Sequence, residues 1–132
     1  MSKTKAITPE NMKSLATELM DYFQKEDLWY ETIIYVAGKR YFSDGWNAEK
    51  EHNAKRCTTA NGTVYFVEEN IDVKDYIEYS SPDTITLAFE GPLYAVIDNN
   101  LDFVFDLDKK FLDKYGLYFE LGYQWSMSAY EA

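Results

Sequence analysis

The chain has one cysteine, Cys57, and one histidine, His52. A single thiol excludes a disulfide within the chain and suits a reducing compartment, so a cytoplasmic location is expected. His52 and Cys57 lie five positions apart in a polar stretch with no orienting group, so a catalytic Cys–His pair is not expected. One His and one Cys cannot close a tetrahedral zinc site without carboxylates. No run of about 18 apolar residues occurs, so no membrane-spanning helix is expected. The first ten residues hold two lysines but no apolar core, so no secretory signal is expected either. A glycine-rich phosphate loop, a dinucleotide fingerprint and a nucleophile elbow are all missing.

Basic residues are scarce in the second half. Residues 1–62 carry nine Lys and Arg against nine Asp and Glu. Residues 63–132 carry four bases against fourteen acids, so the whole formal charge of −10 sits there. Such a field repels phosphate backbones and steers toward basic surfaces. Direct nucleic-acid binding, which needs a basic footprint, is therefore not expected.

What is abundant is aromatic: 17% of the chain, with tyrosine supplying 12 residues, a composition unlike that of disordered chains. At 132 residues, with neither repeat nor linker, one α+β domain over 1–132 is expected. Thr8-Pro9-Glu10 is a helix start, and Met12, Leu15, Ala16, Leu19, Met20 and Phe23 follow at helical spacing. Residues 29–36 read as a strand, 37–39 as a turn and 40–43 as the returning arm of a hairpin. Residues 44–62 read as a long polar loop, with a short exposed helix over 47–56 as one option. Strands are expected over 63–69 and 84–90, separated by an acidic segment over 72–79 with one or two helical turns. Residues 93–98 read as a short helix opening at Pro92 in preference to a strand, and 101–105 as a strand. Residues 106–115 read as a helix carrying Leu107, Phe111 and Tyr115 inward, with Gly116 at its end. Residues 117–130 alternate apolar and polar throughout, which reads as one long strand with its odd positions on the core. A mostly antiparallel sheet with the N-terminal helix and a second helix on one face accounts for these elements.

Asp98-Asn99-Asn100-Leu101-Asp102 matches the first five positions of an EF-hand loop. Phe103 stands where its glycine belongs and Lys109 where its bidentate glutamate belongs, so no metal site is assigned. Carboxylates crowd at Glu68, Glu69, Asp72, Asp75 and Glu78, and again at Asp102, Asp106 and Asp108. Proximity along the chain does not make them converge in a cleft, as acid–base catalysis requires. No catalytic residue and no cofactor are assigned.

Tyrosine and carboxylate interleaved suit a basic protein partner, with acids for steering and aromatics for residence time. The candidate partner-binding residues are Glu68, Glu69, Asp72, Asp75, Tyr76, Glu78 and Tyr79. Two stretches also carry a resemblance: Tyr-Ser-Ser-Pro-Asp-Thr-Ile-Thr-Leu-Ala-Phe-Glu-Gly-Pro-Leu-Tyr over 79–94, and Tyr-Gly-Leu-Tyr-Phe-Glu-Leu-Gly-Tyr-Gln-Trp-Ser-Met-Ser-Ala-Tyr over 115–130. They resemble segments of small acidic proteins of gut-bacterial mobile elements and prophages, of antirestriction or anti-CRISPR type. The resemblance covers about a quarter of the chain and assigns no functional residue. It implies an acidic inhibitor of a nucleic-acid-targeting defence nuclease, some such proteins being nucleic-acid mimics. The competing readings are a small hydrolytic or metal-dependent enzyme with a carboxylate site, and a domain that self-associates through an edge strand.

Overall fold

The computed structural model describes residues 5–43 and 54–132. Helix α1 (Pro9–Lys25) begins where Thr8 and Pro9 predict it. The Thr8 side chain accepts the Asn11 N–H at 3.1 Å, and Pro9 occupies a first-turn position whose N–H has no helical partner. Its apolar stripe, Met12, Leu15, Ala16, Leu19, Met20 and Phe23, is wholly buried. Each large side chain in that stripe contributes roughly 1.5–3 kcal/mol by leaving water.

The stripe packs on one face of a seven-stranded antiparallel sheet. Its strands are β1 (Thr32–Val36), β2 (Lys39–Phe42), β3 (Lys55–Thr58), β4 (Val64–Glu68), β5 (Ile85–Phe89), β6 (Leu117–Tyr123) and β7 (Ser126–Glu131), in the order β3-β4-β2-β1-β5-β7-β6. Between β5 and β6 come α2 (Pro92–Asn99) and α3 (Asp102–Leu107). The fold is α+β. Ile34, Val36, Ile85, Leu87, Phe89, Leu117, Phe119, Met127 and Ala129 present the core face of the sheet to all three helices. No helix among the described residues is long and apolar enough to cross a membrane.

The β1–β2 hairpin turns on Ala37 and Gly38, both at positive φ (50° and 73°), with Val36 paired to Lys39. That turn matches the twist of the strands it joins. Four expectations need correction. Lys55–Thr58, read as loop, pairs with β4 as an edge strand. His52, Trp46 and most of the 47–56 helix option lie outside the described residues. Residues 101–105 are not a strand, because α3 opens at Asp102. The chain then continues through a π-helical turn (Asp108–Leu112) and a 3-10 turn (Asp113–Tyr115) to Gly116 at φ 70°. The wide turn adds a residue, so Leu112 follows Leu107 fully into the core, while Phe111 packs half-buried against it.

The fourth correction is to 117–130, which is a hairpin. Leu117 pairs with Glu131, Phe119 with Ala129 and Leu121 with Met127, odd positions with odd. A two-residue turn alone pairs odd with even, as Tyr123 does with Ser126. A bulge between Leu121 and Tyr123 supplies the extra residue that realigns the two arms. Apolar alternation thus runs unbroken through the turn. The odd positions Leu121, Tyr123 and Trp125 leave the core, and the even positions Ser126 and Ser128 are buried on the opposite face.

Two carboxylates fix the periphery. Asp108 accepts the Phe119 N–H of edge strand β6 at 2.9 Å, and burial pushes its carboxyl above the ordinary range. Asp21 of α1 accepts the hydroxyls of Thr59 and Thr63, each at 2.6 Å, and the Asn61 amide at 3.0 Å. Burial pushes the Asp21 carboxyl up, but those three hydrogen bonds outweigh it and hold it below its ordinary value. Ionised Asp21 therefore contributes stability above its unfolded pKa, and that contribution is lost as pH falls through the lower folded value. Asp21→Asn is expected to cost about 1–2 kcal/mol near pH ~7, the scale of hydrogen bonds to a charged acceptor. Urea titrations at several pH values should show the deficit shrinking in acid; a deficit independent of pH contradicts this assignment.

Candidate functional site

The second face of the sheet is built differently from the first. On β5 and β7 it presents Thr86, Ala88, Ser126 and Ser128, and Thr86 shares a 2.7 Å hydrogen bond with Ser128. Small side chains leave room for backbone, and residues 70–81 fill that room as a strap. Its start is tied down by the Ile71 N–H on the Gly38 carbonyl at 2.8 Å. Its far end is tied by the Ser81 N–H on Thr86 Oγ1 at 3.1 Å and by Ser128 Oγ on the Tyr79 carbonyl at 3.4 Å. Gly122 permits that approach, since a Cβ there would sit 2.9 Å from the Tyr79 Cβ.

Val73 and Ile77 are the strap's buried anchors, packed with Tyr35. Val73–Asp75 forms a single 3-10 turn, capped by Asp72 on the Lys74 N–H at 3.0 Å. Ser80 is also buried and Ile71 is half-buried against the same cluster, whereas Asp72, Asp75, Tyr76, Glu78 and Tyr79 are all exposed. Lys74, the base within 70–81, turns its ammonium onto the carbonyls of Glu78 and Ser80, both at 2.9 Å. What the strap shows to solvent is therefore anionic and aromatic.

Under the strap lies a buried charge. Arg40, on β2, pairs with Glu68 on β4, with its Nε at 3.2 Å and its Nη2 closer still to the same oxygen. Its guanidinium carbon lies 4.4 Å from the ring centre of Tyr76 and 4.8 Å from that of Phe42. Burial opposes the charge, but Glu68 and the Tyr35 phenol outweigh it and raise the guanidinium pKa further. Burial likewise pushes the Tyr35 phenol up, so it stays protonated at neutral pH. Tyr35 and Tyr76 rings meet at 5.8 Å.

Beyond the strap, Tyr79 meets Tyr123 at 5.3 Å, and Tyr123 stacks on Trp125 at 5.0 Å with the rings 6° from parallel. The Tyr123 hydroxyl donates to Glu78 at 3.3 Å, and both desolvation and that carboxylate push its pKa up. Rings and acids thus form one continuous surface.

The seven candidate residues from the sequence fall into two groups. Asp72, Asp75, Tyr76, Glu78 and Tyr79 share this surface. Glu68 lies beneath it, engaged by Arg40, and Glu69 points to the other face and pairs with Lys39 at 2.8 Å. The sequence reading missed Arg40, Tyr123 and Trp125. Fourteen residues in one strand exceeds the usual 3–10, a length that points to a hidden turn near Gln124 and Trp125. No group of His, Cys, Asp and Glu among the described residues is placed to hold a metal ion. Comparison with protein-family models, curated proteins and solved structures returns no match to the chain.

Removing one member of a buried ion pair leaves the other uncompensated. Arg40→Met is therefore expected to lower the unfolding free energy by about 3 kcal/mol, and Glu68→Leu added to it should recover most of that loss. Urea unfolding of the two single variants and the double variant measures this. A double variant no more stable than Arg40→Met would show that the pair is not what the strap rests on.

Proposed function

We propose that the chain is a non-enzymatic binding protein that occludes a basic surface of a protein partner through the strap and its neighbouring rings. The observation that carries this reading is the exposure of Tyr76, Tyr79 and Trp125, at 48%, 55% and 36%, among the exposed carboxylates of Asp72, Asp75 and Glu78. Large aromatics left in water on an otherwise well-packed domain mark an interaction surface. Tyrosine and tryptophan immobilise at low entropic cost and dominate binding hot spots. The carboxylates select the partner's sign and accelerate encounter with it.

A nucleic-acid-targeting nuclease is the partner class that fits the reading best. Its nucleic-acid groove is basic, and carboxylates on the strap can occupy it in place of phosphates. The net charge of −10 and the resemblance of two segments to mobile-element proteins support this choice.

The test is affinity capture on the immobilised chain, followed by rebinding of the captured protein after purification. The triple variant Asp72→Lys, Asp75→Lys, Glu78→Lys should bind at least about tenfold more weakly, with a flatter salt dependence. Circular dichroism should show its fold unchanged, since all three side chains are exposed. Equal affinity of wild type and triple variant would make the acidic strap a solvating surface only.

A further inference from the structure

The strap does not seal the second face. Between Tyr76 and Trp125 it leaves a cavity of about 210 Å³. Ile33 and Ala88 of the sheet floor it, Tyr35, Tyr76 and Trp125 wall it, and the carboxylate residues Glu31 and Glu90 line it as well. Among the described residues, no basic side chain lines it. The two acids are held by backbone. Glu31 sits at φ 55°, and its carbonyl accepts the Glu90 N–H at 3.3 Å. The chain is packed tightly behind them, since a Cβ on Gly91 would lie 2.8 Å from the Tyr30 carbonyl.

Aromatic walls with carboxylates beside them select a cation, because ring faces attract positive charge and carboxylates neutralise it. The same face already holds one guanidinium in this way: Arg40 lies against Tyr76 and Phe42, with Glu68 as its anion. Between the two basic side chains, arginine fits better. Its planar head stacks on rings and forks onto carboxylates, whereas an ammonium is a compact, strongly hydrated point charge.

We propose that this groove is the anchor pocket for one arginine side chain of the basic partner, an inference that rests on the binding reading above. The arginine would stack between Tyr76 and Trp125 with its head at Glu31 and Glu90, while the acids of the strap engage the charge around it. Specificity for the partner then resides in the groove, and the strap supplies the attraction.

Three lysine-rich peptides, identical except for a central arginine, lysine or citrulline, separate the two contributions. Citrulline keeps the shape of arginine without its charge. Isothermal titration with the whole chain should show all three binding in a salt-sensitive way, the arginine peptide roughly tenfold tighter than the citrulline one. Glu90→Gln and Glu31→Gln, each confirmed folded by circular dichroism, should remove that preference and leave citrulline-peptide binding in place. Equal affinity of the three peptides for the wild type overturns the pocket while leaving the acidic surface standing. So does an arginine preference that survives in both variants. If none of the peptides binds, the pocket and the binding reading fall together.

Discussion

One buried charge organises the second face of the sheet. Arg40 is 8% exposed, in the middle of a sheet, and a guanidinium cannot shed its proton to escape burial. It must be compensated in place, and the compensation comes from three elements: Glu68 on β4, Tyr35 on β1 and Tyr76 on the strap. Satisfying one cation thereby aligns two neighbouring strands and brings a tyrosine of the strap down onto them. The exposed pair Lys39–Glu69 makes a contrast. At 30% and 66% side-chain exposure it is screened by water and constrains little.

The two faces of the sheet divide the labour. One is a continuous apolar core shared by β1, β5, β6, β7 and all three helices, and it supplies most of the burial. The other is a mosaic: a small cluster at Phe42, Ala54 and Phe66, a second around Tyr35, Val73 and Ile77, and hydroxyls and alanine where the strap crosses. Val73, Ile77 and Ser80 are the buried residues of the strap, with Ile71 half-buried beside them, and much of its remaining hold comes from hydrogen bonds to backbone carbonyls. A segment held this way opens at lower free energy than the sheet beneath it. Such a segment can adjust to a partner while the scaffold stays fixed.

Much of this architecture is legible in the sequence because its causes are local. Thr8 and Pro9 start α1, Gly116 ends the helical run before β6, a β-branched and aromatic run in 63–69 marks β4, and alternation in 84–90 marks β5. The failures also have local causes. A bulge near Gly122 keeps the alternation in phase through a turn, so two strands read as one. A π-helical turn at Asp108–Leu112 brings Leu112 fully into the core beside a half-buried Phe111. β3 is a short edge strand of Lys55, Arg56, Cys57 and Thr58, mostly exposed and without the apolar alternation that identifies a strand. The acids and tyrosines of the strap could be named from composition. Arg40 and the groove could not, because each depends on pairings between segments distant in sequence, and Trp125 emerges only once the turn near Gln124 is recognised.

The central claim is that the partner lands on the second face, over the strap and the β6–β7 turn. Hydrogen–deuterium exchange on the chain, free and bound to the purified partner, tests this most directly. The account predicts new protection concentrated in residues 70–81 and 123–126, with α1 and α2 unchanged. Protection on the outer surface of α1 or α2, with the strap exchanging as in the free protein, would contradict it.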